Sequence, residues 1–163
     1  SFRSIAFDQF QETRHLINLR TFLNDIVRVI KPSLKNKDIG FIIDCNENSE
    51  IMTFTGVISQ VLIILIQNSI SHAFASKSSG IIKLASKIGS DDVFEISVAD
   101  NGCGINENIR HKIFEPFFTT DKKKHSGLGL YIASNLVESK LKGKLVFEPA
   151  LIHGSTFKIK IPV

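Results

Sequence analysis

The sequence has little of several residue types that mark whole classes of protein. It contains two cysteines, Cys45 and Cys103, in 163 residues, and no tryptophan. Two cysteines are too few for a disulfide framework, and these two have neither the spacing nor the partners of a zinc site. The composition therefore fits a reducing, cytosolic environment best.

Long hydrophobic runs are absent as well. The longest aliphatic run covers residues 61–66, far short of the roughly 20 residues that a membrane-spanning helix needs. The chain opens with Ser1, and no charged and then apolar leader follows. We therefore expect a soluble fragment, excised from a parent protein for which membrane attachment remains open.

Two patterns linked to nucleotides and nucleic acids are also missing. No Gly-x-x-x-x-Gly-Lys-(Ser/Thr) sequence occurs, which excludes the P-loop class of nucleotide-binding enzymes. The net charge is +4, but the basic residues are scattered apart from Lys122, Lys123 and Lys124. We therefore expect no nucleic-acid partner.

What is present indicates one globular domain. The chain is 43% hydrophobic and 22% charged, and its 13 phenylalanines predict a core of Phe, Ile and Leu. Residues 1–18 are only weakly periodic and resemble the end of a preceding element, so we assign them to a linker. Residues 19–163 then form the domain.

Hydrophobic spacing predicts a mixture of helices and strands. Pro32 is expected to kink or restart the first helix, Thr55 to cap the second, and Gly143 to end the last. Because strands and helices do not alternate one for one, we predict an α+β fold, with helices on one face of a mixed sheet. The predicted helices cover residues 19–30, 56–75, 107–113 and 127–141, and the strands 39–45, 51–54, 81–88, 93–99, 145–147 and 156–161.

A polar strip interrupts the most apolar of these helices. Asn68, Ser71 and His72 stand at i, i+3 and i+4 and so share one helix face. An Asn side chain offers a neutral oxygen to a hard cation such as magnesium, which prefers oxygen ligands. The alternative is a polar seam that is hydrogen-bonded to neighbouring backbone.

A glycine-rich sequence follows the strand predicted at residues 93–99. Asp100 supplies a fixed acceptor, and Gly102 and Gly104 permit a close approach of the backbone. A carboxylate in this place can accept a hydrogen bond from the exocyclic amine of a purine. A simple tight turn explains the same residues.

Two further segments lie between this turn and the last helix. Residues 113–120 are rich in Phe and precede the three lysines. This pattern fits either an apolar segment that packs against another group or a surface loop anchored by its Phe side chains. Gly127 and Gly129 open the final helix, where free amides and the positive helix end favour an anion such as phosphate. Alone, a Gly-x-Gly sequence is a weak signal.

In this order and at these separations, the four segments resemble the N, G1, F and G2 boxes of histidine kinases in the Bergerat-fold ATPase family. The resemblance extends over residues 19–163, and residues 68–74 are similar to the family's Asn-(Ser/Ala)-x-x-His-(Ala/Gly)-Phe sequence. It implies a two-layer α/β sandwich with a mixed, mostly antiparallel sheet covered by helices on one face. It also implies ATP and Mg²⁺ as ligands.

The resemblance implies a role for individual residues. Asn68 would coordinate magnesium, and Asp100 would bind the adenine amine. Lys122, Lys123 and Lys124 would belong to an ATP lid and, with Asn68, assist the transfer. The remaining implied nucleotide-binding residues are His72, Gly102, Gly104, Ile105, Phe114, Gly127, Leu128, Gly129, Leu130 and Ser155.

Three positions depart from the family pattern. Ile64 stands where the family commonly has Asn and the related hydrolytic ATPases have a general-base Glu, so strong ATP hydrolysis is not expected. Ser71 replaces a phosphate-contacting Lys of some kinases, and His125 replaces the first Gly of the G2 box. These departures keep two alternatives open, a nucleotide sensor without phosphotransfer and a hydrolytic ATPase of the gyrase or mismatch-repair type.

The implied partners lie outside these motifs. None of the five histidines stands in a His-(Glu/Asp)-x-x-x-Pro sequence like the family's phosphoacceptor. The resemblance therefore implies an upstream dimerisation domain that carries this histidine, and a response regulator receiver domain downstream in signalling. We expect a cytoplasmic domain, and a homodimeric parent anchored in the inner membrane remains open.

Overall fold

The computed structural model describes residues 13–89, 91–123, 125–150 and 153–162. These residues form strands, three α-helices and short helical turns. The turns cover Lys31–Leu34 and Glu107–Lys112, which are 3-10, and Ser69–Ala73, which is π. The main elements are β1 His15–Asn18, α1 Leu19–Ile30, β2 Asp38–Asp44, β3 Glu50–Thr53, α2 Thr55–Asn68, β4 Ser79–Ile88, β5 Val93–Asp100, α3 Gly129–Ser139, β6 Lys144–Pro149 and β7 Ser155–Pro162.

The main sheet has five strands in the order β2-β4-β5-β7-β6. Only β2 and β4 run parallel, and the other neighbours are antiparallel. β4 and β5 form the predicted hairpin, whose turn includes Asp92 at φ 58°. The α+β class and the mixed, mostly antiparallel sheet are therefore confirmed.

The two faces of the sheet differ in polarity. On β5, Phe94, Ile96 and Val98 are buried and join the buried side chains of the helices in one core. Glu95 lies on the opposite face, where the Nζ of Lys158 is 3.3 Å from its carboxylate. Alternating side chains thus send apolar groups to the helices and charged groups to the open face, which gives the two-layer arrangement.

Helix α1 forms where its hydrophobic spacing predicts it. Its start is fixed by Asn18, whose side-chain oxygen accepts a hydrogen bond from the Thr21 amide at 3.0 Å. A side chain of this kind satisfies one of the amides that a helix start leaves unpaired. Pro32 follows in the turn Lys31–Leu34, so the chain restarts there as predicted.

Helix α2 is the central element of the core, and two details differ from the prediction. Phe54, not Thr55, precedes the helix, and no side chain caps it. The predicted single helix also changes at its end, because the Phe74 amide donates to the Ser69 carbonyl, five residues back. Such π turns widen a helix locally and are common at functional sites.

By length and composition, the continuous helical stretch Thr55–Ala73 is the one described helix that would suffice to cross a membrane. Core helices of soluble proteins pass the same test. Here Val61, Leu62, Leu65 and Ile66 are fully buried within the protein's own core.

Strand β1 was missed by sequence reasoning, which assigned residues 1–18 to a linker. His15–Asn18 instead pairs with β3 in a two-stranded antiparallel sheet, with Ile17 opposite Ile51. Four residues with two apolar side chains are too short a pattern to identify a strand. Residues 1–12 lie outside the described residues, and the linker assignment for them stays a prediction.

Helix α3 is shorter at both ends than predicted. It begins at Gly129 and ends at Ser139, and the left-handed residue that follows is Lys142, at φ 56°. Gly143 has a different role, because a Cβ there would meet the Lys160 carbonyl. The glycine therefore allows the chain to pass close to β7, while Lys142 makes the turn.

Two glycine substitutions test this packing in opposite directions. A Cβ on Gly56 has no atom within 4 Å, so Gly56→Ala should raise the free energy of unfolding by up to about 1 kcal/mol through helix propensity. A Cβ on Gly80 would enter the Phe74 ring, so Gly80→Ala should lower it by about 1–3 kcal/mol. Urea unfolding of both variants measures the difference, and equal stabilities would contradict the described packing of Phe74.

Candidate functional site

A large open cavity of about 1110 Å³ lies beside the buried end of β5. Its wall is formed by the end of α2, the turn after β5, the start of α3 and the loop before β2. Nine of the residues predicted from sequence line it: Asn68, His72, Asp100, Gly104, Ile105, Gly127, Gly129, Leu130 and Ser155. Segments far apart in the chain thus meet at one site.

Asp100 is the buried carboxylate of this cavity and is 7% exposed. Its Oδ2 accepts a hydrogen bond from the Ser69 hydroxyl at 3.1 Å, and its Oδ1 accepts one from the Gly102 amide at 3.0 Å. Burial raises the pKa of this carboxyl, while hydrogen bonds from Gly102, Ser69 and the Ser155 backbone oppose the shift. The Asp100 carboxylate is thus held in a fixed orientation as a hydrogen-bond acceptor, in a part of the cavity wall that has little contact with water.

Two glycines let the backbone close around this carboxylate. A Cβ on Gly102 would collide with the Ala73 carbonyl at the end of the π turn. Gly154 has φ 108°, and a Cβ there would collide with the Asp100 carbonyl. Both positions require glycine, so the turn after β5 lies close against the end of α2, and the residue before β7 lies close against the end of β5.

The polar strip predicted at the end of α2 lies in the cavity wall. Asn68, Ser71 and His72 all line it. Asn68 is the last residue of the α-helical part, and the π turn begins at the next residue. The side-chain amide of Asn68 thus belongs to the same cavity as Asp100.

A contact between two histidines links the end of α2 to the segment before α3. The rings of His72 and His125 have their centroids 4.3 Å apart and are tilted by 48°. Burial is the main cause that lowers the pKa of His72, and the charge of His125 adds to it, whereas Asp121 raises it. Burial, and to a smaller extent the contact with His125, therefore favour neutral imidazole at His72.

The start of α3 forms the opposite end of the cavity. Gly127 has φ 76°, and a Cβ there would press on the Phe117 backbone. Leu128 precedes the helix, and no side chain caps the first turn. The amides at Gly129 and Leu130 are therefore not satisfied by a cap, as an anion site requires.

The remaining predicted residues lie outside the cavity wall. Phe114 packs edge-on against Phe157 at 6.2 Å between ring centroids, and it is Phe157 that lines the cavity. Lys122 and Lys123 are exposed. Lys124 lies outside the described residues. Gly102 and Leu128 are next to lining residues, and their roles in nucleotide binding stay predictions.

Sequence reasoning missed two residues that hold the site together. Ser69 is 1% exposed and donates to Asp100. Lys37 donates from Nζ to the carbonyls of Phe74 at 2.7 Å and Ile70 at 3.1 Å. The position of Ser69 next to Asn68 was only a weak indication that it belongs to the site. No local pattern indicates that a lysine will donate hydrogen bonds to the end of a helix 33 residues away.

The donor set suits a cation shared with a ligand rather than a cation held by the protein alone. In the described part of the chain, no three His, Cys, Asp or Glu side chains are grouped so as to hold a metal ion. Asn68 supplies one neutral oxygen to the cavity. Magnesium is commonly bound in this way, with waters and phosphate oxygens completing its octahedron.

Comparison with known proteins assigns the chain to a family. The family described as histidine kinase-, DNA gyrase B-, and HSP90-like ATPase matches residues 56–163. The chain therefore belongs to this ATPase family, as the order of its motifs predicted. The matched region contains every lining element except the loop before β2.

The related sequences are sensor kinases. The chain is 30% identical over 174 residues to the autoinducer 2 sensor kinase/phosphatase LuxQ of Vibrio vulnificus (strain YJ016), covering 99% of this chain and 20% of that protein. It is 28% identical to the signal transduction histidine-protein kinase AtoS of Escherichia coli, covering 95% of this chain and 26% of that protein. The chain thus spans about a fifth to a quarter of these relatives.

Solved structures show the same fold. The catalytic domain of histidine kinase ThkA matches with a TM-score of 0.78 and 30% identity, over 91% of this chain and 95% of that one. Full-length ShkA in complex with AMPPNP matches with a TM-score of 0.79 and 24% identity, over 91% and 31%. The Bergerat-type architecture of histidine kinase catalytic domains is therefore confirmed.

The burial of His72 beside His125 predicts a pH dependence of stability. Because the pKa of His72 is lowered from 6.5 in the folded domain, the unfolded chain binds more protons below that pH, and the free energy of unfolding should fall on acidification. His72→Phe keeps a ring but cannot titrate, so its stability should fall less steeply between about pH 7.5 and 5.5.

The exposed His111 provides the control. His111→Phe should follow the wild-type curve, because His111 does not line the cavity. Urea unfolding across this pH range measures the free energy of unfolding of all three proteins. The raised pKa of Asp100 changes this free energy in the opposite direction with pH, and its contribution cancels because all three proteins contain Asp100. Parallel curves for His72→Phe and wild type would show that folding does not lower the pKa of His72.

Proposed function

We propose that this domain binds ATP with Mg²⁺ in the cavity and transfers the γ-phosphoryl group to a histidine of an upstream dimerisation domain. The observation that carries the proposal is the buried, hydrogen-bonded carboxylate of Asp100 in a cavity of nucleotide size. Membership of the ATPase family supports ATP as the ligand.

Adenine recognition would centre on Asp100. Its carboxylate already accepts hydrogen bonds from Ser69 and Gly102, and its remaining lone pairs can accept from the exocyclic amine of adenine. Guanine has a carbonyl at the corresponding position, which would face the carboxylate unfavourably. Ile105 supplies apolar surface for the base, and His72 supplies a ring beside it.

The triphosphate would extend toward Asn68 and the first turn of α3. Asn68 would hold magnesium through its amide oxygen, and Gly127, Gly129 and Leu130 would present backbone to the phosphates. Magnesium, when bound, neutralises part of the phosphate charge. The chain's own contribution is to fix the position of the phosphates and to exclude water from the base.

The transfer step requires little acid–base chemistry from this domain. A nitrogen of the target imidazole forms a bond to the γ-phosphorus, the bond to the β,γ-bridging oxygen breaks, and ADP leaves with the electron pair. The other ring nitrogen then loses its proton to solvent. Positioning and charge neutralisation therefore suffice, and the apolar Ile64 in the cavity wall supplies no base that would activate water instead.

The partners follow from this chemistry. The target histidine would lie in a dimerisation domain of the parent protein, and a response regulator would accept the phosphoryl group next. ThkA has been solved in complex with response regulator protein TrrA, and it resembles this chain at 29% identity with a TM-score of 0.75. We propose a cytoplasmic location for the domain, because its substrate ATP is there.

The adenine assignment is tested by Asp100→Asn. An Asn side chain keeps one acceptor but points an NH₂ group at either the Gly102 amide or the adenine amine, so Kd for ATP should rise by about tenfold or more. The melting temperature should fall somewhat, because one buried donor loses its acceptor, but the domain should remain folded at the temperature of the binding measurement. Calorimetry with magnesium and a non-hydrolysable ATP analogue measures Kd.

Asp91→Asn is the matched control for this experiment. Asp91 is exposed in the turn between β4 and β5 and does not line the cavity, so its substitution should leave Kd unchanged. Unchanged affinity in Asp100→Asn would count against the adenine assignment.

Phosphotransfer needs a separate assay. Mixing the chain with a cognate dimerisation domain and labelled ATP should give phosphate that is labile in acid and stable in base, as expected for phosphohistidine. Asn68→Asp should reduce this transfer by placing a negative charge beside the phosphates. ATP binding without any transfer would favour a nucleotide sensor, and rapid steady-state release of phosphate would favour a hydrolytic ATPase.

A further inference from the structure

The cavity has few positive charges for a site that would take a triphosphate. Among the described lining residues, the acidic groups are Asp100 and Asp121, and the ammonium groups are those of Lys35 and Lys37. A polyanion in such a cavity needs cationic contacts, since charge-assisted hydrogen bonds to phosphate are the strong ones. Both lysines come from the loop that precedes β2.

Lys37 is already engaged in the protein's own structure. Its Nζ donates to the carbonyls of Ile70 and Phe74 at the end of the π turn. The bond to Ile70 compensates a carbonyl of the helix end, whereas the Phe74 carbonyl also accepts a hydrogen bond from the Lys77 amide at 3.2 Å. Lys37 therefore acts as a positioning residue that ties the loop to the end of α2.

Lys35 is held close by but is not engaged. It is exposed, and within the described residues no hydrogen bond or ion pair involves its ammonium group. Its backbone has φ 55° and ψ −112°, a conformation that is uncommon for a residue with a side chain. The loop thus presents an unpaired ammonium group in the wall that also contains Asn68 and Ser71.

We propose that Lys35 is a phosphate-binding residue of this site, which contacts the β- or γ-phosphate of ATP from the loop before β2. The proposal rests on the proposed function and names a residue outside the four motifs and outside the matched region 56–163. The hydroxyl of Ser71 cannot supply this charge. Lys122 and Lys123 do not line the cavity, so the loop is the described source of ammonium groups.

The test compares nucleotides that differ only in phosphate number. Lys35→Ala should raise Kd for magnesium–ATP by about tenfold and change Kd for AMP by about twofold or less, because only the outer phosphates lose a charged contact. Calorimetry at low and high salt measures this, and the salt dependence of ATP binding should be weaker in the variant. Lys35→Arg should restore most of the affinity.

Two further variants separate charge from structure. Lys35→Gly removes the ammonium group and suits the positive φ, so it should fold at least as well and show the same loss of ATP affinity. Lys31→Ala removes an exposed lysine in the preceding turn that does not line the cavity, and it should bind every nucleotide as the wild type does.

The outcomes distinguish the two proposals. If the wild-type chain binds no magnesium–ATP, the proposed function fails and this inference fails with it. If the wild type binds and Lys35→Ala and Lys35→Gly keep its ATP-to-AMP preference, only the role of Lys35 is overturned. Loss of that preference on replacing Lys122, Lys123 and Lys124 instead would assign the phosphate contact to those lysines.

Discussion

The buried carboxylate of Asp100 is the constraint on which the arrangement of this domain depends. A carboxylate removed from water must be compensated by donors, and here each donor comes from a different element. Ser69 belongs to the π turn, Gly102 to the turn after β5, and Ser155 to the start of β7. The charge thus requires three separate segments to meet at the end of one strand.

Other features of the site follow from this meeting. The Cys103 amide donates to the Ala73 carbonyl at 3.0 Å, which holds the turn after β5 against the end of α2. Gly102 leaves room for that approach, and Gly154 leaves room for the Asp100 backbone beside β7. Lys37 closes the same helix end from the opposite side, and its loop completes the cavity wall. The contacts that stabilise this one buried charge therefore also form the binding cavity.

Much of the fold was predictable because its signals are local. The spacing of Leu19, Leu23 and Ile26 identified α1, and alternation identified the hairpin of β4 and β5. Strand β1 was not predictable, since it exists only through its pairing with β3. The π turn and the shift of the final turn to Lys142 depend on packing that no local pattern encodes.

The candidate site divides in the same way. Its motif residues were identified because each motif is contiguous, and the fold brings most of them to one cavity. Ser69 and Lys37 act through contacts between distant segments, and Lys35 reaches the cavity wall only because the loop before β2 folds there, so these residues emerged only from the structure. The most direct measurement is a crystal structure with magnesium and a non-hydrolysable ATP analogue. The account predicts the adenine amine within hydrogen-bond distance of the Asp100 carboxylate, with the phosphates toward Asn68 and the start of α3. An analogue bound with its base away from Asp100 would contradict it.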